Sequence, residues 1–169
     1  MAEKHGMLPP QQMGARQGKS TETALTLLLS QIRTVWEEED SVTTLLSLDM
    51  SGAFPRVLQE RLAHAMKHKR VPRWLVNWTS SFMLNRKTTL AFDNQESRVL
   101  DIPVGIPQGS PLSPILFLFY NAELLEICNP TKVEVNSLAF VDDVNLLAYG
   151  LTTEGNCKQL KAVHDKCLL

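Results

Sequence analysis

A mixed α+β domain is the fold class this chain predicts, on three observations. Helical and strand-like periodicities are interspersed along the 169 residues but never settle into regular strand–helix–strand units, so α+β fits better than a doubly wound sheet. Apolar runs flank Asp142-Asp143 in Ser137-Leu-Ala-Phe-Val-Asp-Asp-Val-Asn-Leu-Leu-Ala-Tyr149. Each run is long enough for one strand, and the acidic pair falls where a hairpin would turn. Length and an apolar share of 44% suit one domain with its own core.

Each element follows in order. Residues 1–18 are polar, contain Pro9-Pro10 and three glycines, and read as irregular. Ser20-Thr21 caps a helix through Ala24, Leu25, Leu28, Leu29 and Ile32 to about Trp36, with Thr23 as a weaker alternative start. The acidic run Glu37 to Asp40 is a solvated loop, and residues 43–49 form a buried strand. Arg56 to Lys69 reads as a helix with Val57, Leu58, Leu62, Ala65 and Met66 as its apolar stripe. Pro72 opens another helix, ending near Asn85. Its Trp74, Trp78 and Phe82 have helical spacing, which favours a buried stripe over a base-stacking surface. Two short strands follow, at 87–93 and 97–103, then a turn-rich loop from Pro103 to Pro111. Ser110 caps a long apolar helix from Pro111 to about Ile127, its prolines confined to the first turn. The Asp-Asp hairpin comes next, and a last helix runs from about Thr153 to the end.

Charge and composition narrow the function classes. The net charge of -1 is unlike that of a free-standing nucleic-acid binder. Either nucleic acid is not the ligand, or the strongly basic parts lie outside this chain. Met-Ala-Glu-Lys-His-Gly lacks the apolar core of a signal peptide, and Ile115 to Tyr120 is far short of a membrane span. An intracellular, soluble setting is expected. Cys128, Cys157 and Cys167 are odd in number and lack paired metal spacing, so reduced thiols are the default. His64 and His68 have metal-ligand spacing, but their basic neighbours favour a solvated face. Cys157, His164 and Cys167 match no usual zinc pattern.

Two places carry candidate chemistry. Asp142 and Asp143 are adjacent carboxylates, and Asp49 ends the apolar run Thr44-Leu-Leu-Ser-Leu-Asp. Carboxylates gathered in apolar surroundings repel one another unless a divalent cation lies between them, which suggests a magnesium site for phosphoryl transfer. Alone, the pattern also fits turn aspartates. The second place is Gly105-Ile-Pro-Gln-Gly-Ser-Pro-Leu-Ser-Pro114, directly ahead of a helix N-terminus. Such a loop brings bare backbone against a ligand, with the helix dipole favouring an anion, and Gln108 offers an amide to a sugar or base. It equally fits a rigid turn and cap.

Together these segments resemble a known family. Leu48-Asp-Met-Ser-Gly-Ala-Phe54, then the Gly105–Pro114 loop, then Phe140-Val-Asp-Asp resemble three motifs of the reverse transcriptase domain of non-LTR retrotransposons, in order and with plausible spacing. Gln12-Met-Gly-Ala-Arg-Gln-Gly-Lys-Ser-Thr21 is similar to the family's fingers motif, and the nearest likeness is to elements common in fungal genomes. The resemblance implies the fingers and most of the palm of a right-hand polymerase: about 1–42 a fingers segment, 43–169 mainly palm with an antiparallel sheet packed on helices.

What the resemblance implies for single residues is specific. Asp49 and Asp142 would bridge two magnesium or manganese ions, and Asp143 would complete the carboxylate cluster. Phe54 matches the aromatic residue that leaves no room for a 2′-hydroxyl, Gln108 and Gly109 the loop lining the incoming nucleotide, and Arg16 and Lys19 basic positions suited to a triphosphate. The implied partners are an RNA template, a DNA primer and dNTPs. An RNA-dependent RNA polymerase shares the metal logic, but Phe54 argues against it.

The chain departs from the family at Pro55, where an aspartate is expected, at Val104 in place of a frequent threonine, and mildly at Phe140-Val141. By the resemblance, the family's later palm motifs and thumb are expected to lie outside these 169 residues. The alternative reading is therefore a non-catalytic remnant with at most weak nucleic-acid binding.

Overall fold

The computed structural model describes residues 2–37, 40–128 and 134–167. In chain order the elements are α1 (Thr21–Trp36), β1 (Val42–Asp49), α2 (Gln59–His68), α3 (Arg73–Met83), β2 (Lys87–Thr88), β3 (Ala91–Phe92), β4 (Gln95–Glu96), β5 (Leu100–Asp101), α4 (Ser113–Tyr120), α5 (Ala122–Ile127), β6 (Val135–Phe140), β7 (Asp143–Gly150) and α6 (Thr153–Cys167). They fall into two compact units, one formed by residues 1–51 with 121–169 and the other by 52–120.

The first unit is built on an antiparallel sheet of order β1-β7-β6. The period-2 alternation of its strands gives the sheet two apolar faces. On one face Val135, Ala139, Val144, Leu146 and Ala148 pack with Leu125, Cys128, Leu160 and Val163 of α5, its C-cap and α6. On the other, Leu138 and Phe140 meet Ala24, Leu27 and Leu28 of α1, together with Met13. Ser20 caps α1 by accepting from the Thr23 amide, as expected. Buried Asn156 ties α6 to β1, its Nδ2 donating to the Val42 carbonyl at 2.8 Å and to Thr44 Oγ1 at 3.2 Å.

Residues 2–18 are irregular but not merely a solvated lead-in. Leu8, Gln12 and Met13 are buried. Met13 N–H donates to the Ala139 carbonyl at 2.7 Å and Ala139 N–H to the Gln11 carbonyl at 3.0 Å. The segment thus adds a short parallel bridge, Gln12 to Ala139, to the free edge of β6.

In the second unit, α2 packs on α3 and α4. Five sequence expectations need correction across the two units. The strand expected to be buried at 43–49 is β1, an edge strand with no buried residue. The helix expected from Arg56 starts at Gln59, because residues 51–56 form a turn closed by Arg56 N–H to the Gly52 carbonyl; Val57 is buried just outside the helix, and Leu58 is exposed. The strands expected at 87–93 and 97–103 are short paired pieces, β2 with β5 and β3 with β4. Their registers differ by one residue, and the Ser97 hydroxyl accepts from the Leu90 amide in the gap. The single helix expected from Pro111 to Ile127 is two, since Asn121 lies outside both. Finally, the aromatic stripe of α3 is not buried: Trp74 is 65% and Trp78 45% exposed, while Val76, Thr79 and Met83 form the inward face. Helical spacing defines a stripe; it does not say which stripe faces the core when two compete. The acidic loop is described only at Glu37 and Asp40; its middle residues lie outside the described ones.

Candidate active site

The sheet register brings two of the three aspartates face to face. Asp49, the last residue of β1, is paired directly with Asp143, the first residue of β7. Directly opposed residues have Cβ atoms about 4.5–5.5 Å apart, and like charges so placed are destabilising. Asp142 precedes Asp143 in the turn and is half-buried, whereas Asp49 and Asp143 are exposed. Asp49 and Asp143 line a pocket of ≈ 410 Å³ with Ser47, Asn145 and Phe140 from the sheet and Thr21, Ala24 and Leu28 from α1. Ser47 Oγ donates to Asn145 Oδ1 at 2.7 Å, which fixes the polar wall beside the carboxylates.

The donor set suits a hard divalent cation, since all three side chains offer only carboxylate oxygen. Among the described residues, no three His, Cys, Asp or Glu side chains stand together as a ready metal cluster. The opposed pair is thus formed by the fold, and Asp142 stands beside it in sequence but does not line the same pocket.

The turn that carries Asp142 is strained. Phe140 pairs with Asp143, leaving a two-residue hairpin loop of Val141 and Asp142. Val141 has φ 59° and Asp142 is not left-handed, the pattern of a type II′ turn, whose first central position normally takes glycine. A β-branched residue there costs on the order of 1–3 kcal/mol and persists only when its surroundings enforce it. Those surroundings are visible. The Val141 carbonyl accepts long hydrogen bonds from Gln12 Nε2 at 3.4 Å and Asn121 Nδ2 at 3.5 Å, both side chains buried. Gly14 presses on the same turn: a Cβ there would clash with Val141 Cγ2 and lie 2.7 Å from Val141 N. Sequence reasoning missed Gln12, Gly14 and Asn121 as supports of the turn. The first two stood in the quoted fingers motif, and Asn121 showed only as a polar residue ending an apolar run.

In the second unit, Phe54, Gln108 and Gly109 line one pocket of ≈ 510 Å³ with Ser110, Pro111 and Ser113. Backbone pairing holds them together: Ile106 N–H donates to the Phe54 carbonyl at 2.9 Å, and Gly105 N–H to the Val57 carbonyl at 2.8 Å. Phe54 leans on Phe117 with ring centroids 5.2 Å apart. Gly105 has φ +83°, and a Cβ there would lie 2.7 Å from the Pro55 carbonyl oxygen, so glycine is required. The Arg86 guanidinium donates to the Val104 and Gly105 carbonyls and pins the start of the loop. Pro55 is accommodated because the amides of Arg56 and Val57 make the closing bonds of the turn.

The two basic candidates differ. Arg16 is engaged within the chain, donating to both Glu3 carboxylate oxygens and to the Pro9 and Gln12 carbonyls at 2.5–2.9 Å. The guanidinium holds the Glu3 carboxyl below its ordinary range. Lys19 is exposed. His64 and His68 are exposed on α2. Cys128 and Cys167 are free thiols with sulfurs 3.1 Å apart, and burial raises the Cys128 thiol far above its ordinary value. Among the described residues no helix is long and apolar enough to cross a membrane.

These features have counterparts in known proteins. The chain is 29% identical over 122 residues to "Probable RNA-directed DNA polymerase from transposon X-element" of Drosophila melanogaster, covering 72% of this chain and 13% of that protein. It is 29% identical to the corresponding polymerase of transposon BS from the same organism, covering 83% and 16%. It is 31% identical to "RNA-directed DNA polymerase from mobile element jockey" of Drosophila funebris, covering 59% and 11%. The chain thus spans less than a fifth of the length of these relatives, which are insect elements and do not place it among fungal ones. The fold is similar to that of apo telomerase from Candida tropicalis, truncated from its C-terminal domain: TM-score 0.65, 12% identity, 90% of this chain and 32% of that one. A model of the family described as reverse transcriptase (RNA-dependent DNA polymerase) matches residues 2–168, and the chain belongs to that family.

Proposed function

We propose that this chain is the fingers segment and most of the palm of an RNA-directed DNA polymerase that extends a DNA primer on an RNA template with dNTPs. The observation that carries the reading is the register pairing Asp49 with Asp143, with Asp142 beside them in an enforced turn. Residues 1–42 are the fingers segment in this reading and 43–169 mainly palm. Two magnesium or manganese ions held by Asp49, Asp142 and Asp143 would, when bound, activate the primer 3′-hydroxyl and neutralise the triphosphate. The chain's own residues do the rest. The strained hairpin fixes the backbone of the aspartates, so little reorganisation is needed at reaction. Phe54 closes the space beside a nucleotide sugar. Gln108 offers its amide to the nucleotide, and Gly109 allows close backbone approach. Lys19 is available to a triphosphate; Arg16 reaches one only by leaving Glu3. The protein works inside the cell.

Primer extension on an RNA template tests this, in a protein completed by a related element's downstream region. Changing Asp49 or Asp142 to asparagine is expected to lower the rate at least ~100-fold, because charge stabilisation in the transition state is lost. Near-normal extension by Asp142→Asn would end the assignment.

A second reading, a non-catalytic remnant, is favoured by two observations. No three-carboxylate metal cluster is formed among the described residues, and Arg16 is occupied. It predicts no extension even by the completed wild-type protein.

A further inference from the structure

The charge of the chain is unevenly divided. Residues 52–120 hold nine Lys and Arg against four Asp and Glu, although the whole chain is at -1. Between Glu60 and Asp93 there is no acidic residue, while Arg61, Lys67, Lys69, Arg70, Arg73, Arg86 and Lys87 fall in that stretch. The same stretch carries the outward face of α3. Trp74, Trp78 and Phe82 follow one another at four-residue intervals, which places them along one side of the helix over roughly 12 Å. The rings of Trp78 and Phe82 are stacked, with centroids 5.4 Å apart and planes 9° from parallel, and Trp74 continues the row. Exposed Arg70 and Arg73 lie at the start of α3, and exposed Lys87, paired across β2 and β5 with Asp101, follows its end in the chain.

We propose that this face of α3 is a docking surface for single-stranded nucleic acid, on which Trp74 and Trp78 stack bases while Arg70, Arg73 and Lys87 meet phosphates. The proposal rests on the reading that the chain works on nucleic acid, but not on catalysis. Exposed indole faces match unpaired bases, whose π-faces are free, and not a duplex, whose bases are already stacked. Cations at both ends match a partner with charge all along its length. A purely apolar protein partner has no use for that charge.

The test uses the 169-residue chain with Trp36→Phe, so that Trp74 and Trp78 alone report. A 20-nucleotide oligouridine RNA should quench their fluorescence saturably, and a DNA duplex of the same length should not. Trp74→Ala with Trp78→Ala should weaken binding of a fluorescein-labelled oligouridine by about 10-fold or more in anisotropy. Arg73→Glu with Lys87→Glu should flatten the dependence of affinity on salt. Asp142→Asn should bind normally while the same change abolishes extension by the completed protein, so loss of polymerisation and loss of docking are read separately. Unchanged affinity in the double alanine variant would overturn the proposal. So would quenching that follows protein concentration without RNA, with dimers in sedimentation, because the face would then serve a second copy.

Discussion

Gly14 is buried against the back of the acidic hairpin, and its missing side chain is what lets the N-terminal segment touch Val141. Gly14→Ala forces either that segment or the turn to move. Overpacking of this kind costs ~1–3 kcal/mol, so a melting temperature several degrees lower is expected. An unchanged melt would mean the segment does not bear on the turn in solution. Phe54 makes a different prediction. Its ring lines a pocket with Gln108 and Gly109, so Phe54→Ala in the completed polymerase should raise use of an rNTP relative to its dNTP. An unchanged ratio of the two efficiencies would leave Phe54 as a core residue packed on Phe117. At this scale strand ends and turns were readable: Asp49 closes β1, Asp142 sits in the hairpin turn and Asp143 opens β7 opposite Asp49. The sequence was silent on partners supplied by distant chain: the engagement of Arg16 by Glu3 and the hold of Asn121 on Val141 have no local signature.

Among the elements, those with one dominant periodicity were legible. The Asp-Asp hairpin, α1 and α6 lie close to where pattern and caps put them. Those that failed had competing signals. The run from Pro111 is apolar on nearly every side up to Tyr120, so a single polar residue, Asn121, is all that marks the interruption. Residues 87–101 lack sustained alternation, and a Ser97 hydroxyl replaces a ladder bond. The stripe of α3 reads as inward on its helical spacing alone, and that spacing does not choose between two competing faces. The joint between α6 and β1 carries its own prediction. Asn156→Ala deprives the Val42 carbonyl of its donor and should cost about 1–3 kcal/mol. Urea unfolding measures it; a loss below ~0.5 kcal/mol would show that water takes over the carbonyl, as at an exposed end.

At the level of the molecule, net charge misled in an instructive way. The near-zero total averages a unit of residues 52–120 rich in Lys and Arg with a strongly acidic remainder. Composition over a whole chain cannot reveal such a division; the contact boundaries do. The division does not by itself make an efficient polymerase. Positioning of primer and template accounts for much of the catalysis, and the chain spans 13–16% of the X-element and BS relatives. The 169-residue chain alone is therefore expected to show no processive extension on a primed RNA template with magnesium, while the completed protein does. Efficient multi-nucleotide synthesis by the chain alone would refute that expectation.

The bridge between Gln12 and Ala139 also has a consequence for self-association. A bare outer strand is a template on which another molecule's strand can add, the route to aggregation that natural sheets block by covering their rims. Residues 11–13 cover β6 in this manner, using backbone groups that a stray strand would otherwise satisfy. A version beginning at Ser20 uncovers that rim. It should scatter light and bind thioflavin at concentrations where the longer chain stays clear, even though every aspartate of the hairpin is still in place.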